Sequence, residues 1–194
     1  MTNEADLIKS SQAGNLASFN ALVEIYQGPI YNLALRMLGN VEAAEDVTQE
    51  TFLSAYNAIK NFRGGSFKGW LYRIASNHCN DYFRKFKGQR PLSLDAMMQD
   101  TERPFDVADP GYSPEDCALQ GELGQAIAKG LATLPADQRL VVILSDIQGF
   151  SYEEIAEATS SSLGTVKSRL SRGRLHLRDY LLQQGELLPH QLRH

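Results

Sequence analysis

The sequence predicts an all-α protein of two small helical domains joined by a flexible acidic linker. Apolar residues recur at three- and four-residue spacing along most of the chain, and the strict alternation of a half-buried strand is absent. Over residues 89–114 that periodicity fails, and four prolines and several acids mark a linker of about 25 residues. Residues 151–178 read as two short helices joined by a tight turn. The expected boundaries are a first domain over 1–90, the linker over 91–115 and a second domain over 116–186.

Each element has a local reason. Helical patterning covers residues 6–13, 16–38, 41–59 and 67–87, and Gly14, Gly39-Asn40 and Arg63-Gly64-Gly65-Ser66 punctuate it. It resumes over 115–133 and 136–148, where Pro135 suits a helix start and Gly149 a helix end. Ser151 and Glu154 have the spacing of a reciprocal capping box, in which each side chain satisfies the other's free backbone N–H. In the last helix Val166, Leu170, Gly173 and Leu177 recur at helical spacing and face inward. Lys167, Ser168, Ser171, Arg172 and Arg178 then fall on the outer side. A small amphipathic helix presenting Lys, Arg and Ser suits the DNA major groove. A solvated helix hairpin is the alternative for this segment alone.

With 43% hydrophobic residues over 194 positions, the chain can bury real cores, which argues against wholesale disorder. A net charge of −4 argues against a basic nucleic-acid coat, but the distribution says more. Residues 60–90 carry eight Lys or Arg against the single acid Asp81, and residues 91–122 carry eight acids against Arg103 alone. Residues 164–179 are basic again. Two basic islands around an acidic stretch suggest two phosphate-contacting modules and a connector that avoids DNA. The only cysteines, Cys79 and Cys117, form neither a disulfide framework nor a zinc spacing, as expected of a reducing cytoplasm. No signal peptide is visible at the N-terminus, and no stretch approaches the roughly 18 apolar residues that span a membrane. The expected location is cytoplasmic.

Two helices carry unusual faces. Between the apolar groups of residues 41–59 lies an arc of Asp46, Gln49, Glu50 and Asn57 with Leu53 at its centre. An apolar anchor with a polar rim resembles a protein interface, although a solvated face with one stray leucine is the plain alternative. Along residues 67–87, Arg73, Ser76, Asn77, Asn80, Arg84 and Lys87 converge on one arc opposite Leu71, Tyr72, Ala75, Cys79, Tyr82, Phe83 and Phe86. Asn and Arg together combine base-edge hydrogen bonding with phosphate attraction. Just before them, Phe62-Arg63-Gly64-Gly65-Ser66-Phe67-Lys68 is a glycine-rich turn that could hold an unstacked base against an aromatic wall. Phe62, Phe67 and Trp70 are nevertheless of a kind more often found in a core than as base platforms. His78 and His176 lack partner ligands, and neither a nucleophile elbow nor a phosphate-binding glycine loop is present. No catalytic residues, metal or cofactor are expected.

These residues together resemble the extracytoplasmic-function (ECF) sigma factors of the sigma-70 family. The matching runs in the first half are Ala44-Glu45-Asp46-Val47-Thr48-Gln49-Glu50-Thr51-Phe52-Leu53, Phe62-Arg63-Gly64 and Phe67-Lys68-Gly69-Trp70-Leu71-Tyr72-Arg73-Ile74-Ala75-Ser76-Asn77. In the second half they are Leu134-Pro135, Gln138-Arg139, Gly149-Phe150-Ser151-Tyr152-Glu153-Glu154-Ile155-Ala156 and Gly164-Thr165-Val166-Lys167-Ser168-Arg169. The set covers nearly the whole chain except the linker.

The resemblance implies region 2 in the first domain and region 4 in the second. It implies that Asp46, Gln49, Glu50, Leu53 and Asn57 dock on the β′ clamp helices of core RNA polymerase, and that the β flap is a further contact. Gly64, Ser66, Phe67, Lys68, Arg73, Asn77, Asn80, Arg84 and Lys87 would engage the minus-ten element and its melted strand. Thr165, Lys167, Ser168, Ser171 and Arg172 would read the minus-thirty-five element. The linker would run toward the RNA exit channel. An anti-sigma partner, in many cases membrane-bound, is implied as well; no small-molecule substrate is. Two features depart from the family pattern: the turn Ser160-Ser161-Ser162 has no glycine or proline, and Leu175 projects outward beside the small Ser171. A stand-alone helix-turn-helix regulator is disfavoured by the Leu53 arc and the aromatic loop. A nucleic-acid enzyme is disfavoured by the missing acidic, metal or nucleophile constellation.

Overall fold

Side-chain caps set where the helices of the first domain begin. The computed structural model describes residues 3–86 and 114–183. In it α1 (Glu4–Gln12), α2 (Leu16–Leu38), α3 (Val41–Ala58) and α4 (Phe67–Lys85) follow one another. Asn15, Asn40 and Ser66 each accept a hydrogen bond from the backbone N–H three residues on, at 3.0, 2.7 and 3.0 Å. Gly39 ends α2 in the left-handed region at φ 68°, returning its N–H to the Leu35 carbonyl at 2.8 Å. A 3₁₀ turn, Ile59–Asn61, leads into the glycine loop. Gln12 of α1 pins that loop by donating to the Phe62 carbonyl at 2.6 Å.

The second domain contains α5 (Pro114–Thr133), α6 (Ala136–Val142), a π-helical turn (Ile143–Ile147), α7 (Tyr152–Ala158) and α8 (Leu163–Gln183). The helix expected over 136–148 therefore changes pitch halfway, closing with a bond from Gln148 N–H to the Ile143 carbonyl. The Ser151–Glu154 capping box forms, with both reciprocal bonds present. The turn lacking glycine is made by Ser160 itself at φ 50°, the one non-glycine residue with positive φ among those described. Ser162 then caps α8 by accepting from the Thr165 N–H at 3.1 Å.

Each domain has an apolar core. Leu22, Ile30, Leu33 and Met37 of α2 meet Val47, Ala55, Leu71 and Cys79, while Val166 and Leu170 of α8 meet Val142, Ile143 and Ile155. Gly173 is buried where α8 crosses α6, and a Cβ there would lie 2.8 Å from Val142 Cγ2. The two cores are continuous, with α4 against α7 and α2 against α5 and α6. Arg139 fastens this junction. Its guanidinium donates to the Met37 carbonyl of the first domain and to the Ala132 and Leu134 carbonyls of the second. Burial lowers its pKa. The linker predicted over 91–115 falls almost wholly outside the described residues. Among those described, no helix is long and apolar enough to cross a membrane.

Candidate nucleic-acid interface

The α3 arc is solvent-exposed throughout: Asp46, Gln49, Glu50, Leu53 and Asn57 all face outward. Fully burying a leucine is worth roughly 1.5–3 kcal/mol, and Leu53, 52% exposed, forgoes a large part of that. Tyr56, one turn on in α3, is 41% exposed and meets Phe19 edge-to-face at 5.0 Å. It enlarges the anchor, and its spacing of three from Leu53 was the available signal.

At the start of α4 the glycine loop frames a cleft of about 260 Å³. Gly64 and Gly65 hold φ of 97° and 86°, a conformation side chains resist, although neither has a neighbour that a Cβ would strike. Phe62 and Trp70 form its aromatic wall with ring centroids 5.3 Å apart, and Arg63, Arg73 and Asn61 supply polar edges. Arg63, Asn61 and Trp70 were not among the residues expected to contact DNA. Phe67 was, but it is buried at 4% exposure between Tyr26, Phe62 and Trp70, so its ring supports the wall from behind. Ser66 lines the cleft while capping α4.

Farther along α4, Arg73, Asn77, Asn80 and Arg84 are exposed. Arg84 is paired with Asp81 one turn away. Ser76, assigned to the polar arc, is buried at 1% because its position on the wheel lies at the edge of the face that α4 packs inward. Lys87 lies outside the described residues. Lys68 donates to the Gln148 carbonyl at 3.2 Å and lies 4.4 Å over the Phe150 ring. Cys79 is buried, which pushes its thiol up to about 12 and leaves it unreactive at neutral pH. His78 bridges to Ser54 of α3 at 2.9 Å, and no group of three metal-ligating side chains occurs among the described residues.

On α8, Lys167, Ser171 and Arg172 are exposed. Ser168 spends its hydroxyl on the Thr165 carbonyl, and Thr165 shares its own with Ser162 at the cap. Arg169 is turned away from this face, ion-paired with Asp137 at 2.9 Å and bonded to Ser161. Arg174 is held by Asp146, whose carboxylate raises its pKa further. Leu175 is 46% exposed, as expected.

The chain matches the family model for Sigma-70 region 2 over residues 22–89 and that for Sigma-70, region 4 over residues 124–177. The ECF RNA polymerase sigma factor SigW of Bacillus subtilis is 40% identical over 178 residues, covering 90% of this chain and 94% of its own length. The chain belongs to the ECF group of the sigma-70 family. The ECF RNA polymerase sigma factor SigE of Mycolicibacterium smegmatis is also 40% identical, over 88% of this chain, and the chain spans 64% of that relative's length. Two solved structures resemble the whole sigma factor. CnrH in complex with the cytosolic domain of CnrY has a TM-score of 0.65 at 26% identity, covering 93% of this chain and 97% of CnrH. RpoE in complex with the anti-sigma factor NepR from Bartonella quintana has a TM-score of 0.64 at 26% identity, covering 86% and 98%. Members of this family are transcription initiation factors.

Proposed function

We propose that this ECF sigma factor binds core RNA polymerase, directs it to a two-part promoter and opens the minus-ten duplex without catalytic activity of its own. The Asp46, Gln49, Glu50, Leu53 and Asn57 arc docks on the β′ clamp helices, with Tyr56 widening the anchor. The β flap receives region 4. Lys167, Ser171 and Arg172 read the minus-thirty-five element, and Thr165 and Ser168 order the start of that helix. Arg73, Asn77, Asn80 and Arg84 engage the minus-ten element, Arg84 exchanging Asp81 for phosphate.

The observation that carries this reading is the loop cleft, where an aromatic wall and two guanidinium groups meet beside exposed asparagines. Unstacking a base costs a few kcal/mol. Stacking it on an aromatic wall returns about 1–3 kcal/mol, so one captured base nearly balances its own extrusion. The cations and the docked polymerase supply the remainder, and melting proceeds on binding energy alone. The complexes of CnrH with CnrY and of RpoE with NepR support an anti-sigma partner for this chain. Its soluble form works in the cytoplasm on the nucleoid, and a membrane-bound anti-sigma factor would hold it at the inner membrane face.

The docking face is tested by charge reversal. Asp46→Lys with Glu50→Lys should weaken binding to core polymerase about ten-fold or more, since juxtaposed like charges at an interface cost several kcal/mol. Unchanged affinity, measured on protein that melts like wild type, refutes this face.

A further inference from the structure

The loop cleft is held in part from outside the segment matched to region 2. Helix α1 precedes that segment, yet its last residue, Gln12, reaches the backbone of the loop. The half-buried Gln12 amide donates to the Phe62 carbonyl at 2.6 Å and to the Ile59 carbonyl at 3.3 Å, 50 and 47 positions away in sequence. Both partners are acceptors, so it is the amide nitrogen that faces them. They belong to one turn, closed by the Phe62 N–H donating to the Ile59 carbonyl at 3.0 Å. Gly64 and Gly65 follow at φ 97° and 86°. Two glycines in succession give a loop many conformations to lose, so a restraint at Phe62 matters for where its ring stands. The other end of α1 backs the same wall. Glu4 accepts from the Tyr26 hydroxyl, and the Tyr26 ring meets Phe67 at 5.6 Å between centroids. Phe67 in turn meets Phe62 at 5.6 Å and Trp70 at 5.4 Å. Leu7, between the two ends of α1, is seated in the core.

We propose that Gln12 is a positioning residue for base capture: its amide fixes the Phe62 backbone, so that the wall of Phe62 and Trp70 stands formed before a base arrives. The proposal rests on the assignment of the loop cleft to the melted minus-ten strand made above. Gln12 stands behind the residues that line the cleft and acts through Phe62. A wall already in place loses little freedom on binding, and more of the stacking free energy then appears as affinity. A loop that must order around the base gives part of that affinity back. Phosphate attraction by Arg63 and Arg73 does not depend on where the Phe62 ring lies, so base and backbone contacts separate in a measurement.

The test uses the full chain as wild type, Gln12→Met and Gln12→Leu, two uncharged side chains that lack both donors. Two fluorescein-labelled probes are compared at low salt: a single-stranded oligonucleotide of mixed sequence and the same sugar–phosphate chain without bases. Label anisotropy reads affinity, and quenching of Trp70, the only tryptophan in the chain, reads stacking in the cleft. Stacking one base is worth about ten-fold in affinity. The wild type should therefore prefer the base-bearing probe by about ten-fold and show Trp70 quenching. Both variants should cut that preference about five-fold, as when a side chain must be ordered on binding, with affinity for the abasic probe unchanged. Variants that keep the wild-type preference overturn the proposal. So do variants that weaken on both probes in proportion, or that both fail to fold, since either result makes Gln12 structural alone. A wild type without preference fails differently: it removes the cleft as a base site, and the proposal with it.

Discussion

Ser160 holds the corner of the helix-turn-helix at φ 50°, where a residue with a Cβ is strained by about 1–2 kcal/mol. Glycine takes that conformation freely but loses more entropy on folding. Ser160→Gly should therefore stabilise the chain by about 0.5–1 kcal/mol, read as a rise of a few degrees in thermal midpoint. An unchanged or lowered midpoint contradicts the strain account. One turn earlier, hydrogen bonds from the Ser151 backbone N–H and hydroxyl lower the Glu154 pKa. A lowered folded value means that the capping contribution is present above the ordinary carboxylate range and is lost as pH falls through that lowered value. The melting difference between wild type and Glu154→Ala should accordingly narrow as pH drops from 7 toward 3. A difference that widens in acid contradicts this sign.

At the scale of elements, most helices were legible because caps and periodicity agree. Asn15, Asn40 and Ser66 sit where polar residues precede apolar runs, and Gly39 and Gly149 follow such runs. The π-helical turn at Ile143–Ile147 was not legible, since no local residue encodes the extra unit of chain. Nor was the serine in the left-handed region, because propensity alone argues against it. At the candidate site, the exposed α3 arc and the Lys167 and Arg172 face were read from spacing. The burial of Phe67 and Ser76 escaped that reading because a helical wheel gives direction but not the neighbour that covers it. Gly173 was placed inward on the same spacing, and its reason is now visible in the approach of α8 to α6. Gly173→Val should force that contact apart at a cost of about 1–3 kcal/mol. A variant with wild-type melting would mean that the helices can separate freely.

Across the whole molecule, the charge islands acquire a spatial meaning. The basic first-domain segment and the helix-turn-helix were read as two grips on DNA, and the described residues of both form one continuous core, with Arg139 bonding both domains. Contact through Gln148 joins residues 76 and 80 positions apart in sequence, and no periodicity argument reaches that far. The described residues thus form one body in which the docking face, the upstream helix and the polar residues of α4 are all exposed. Run-off transcription with core RNA polymerase on a promoter library tests the sigma-factor account most directly. The account predicts defined start sites only when the chain is added, each downstream of two spaced elements. It also predicts that Arg172→Ala weakens discrimination at the upstream element alone, by about 1–3 kcal/mol. A chain that grips duplex promoters tightly without polymerase and supports no transcription would contradict it.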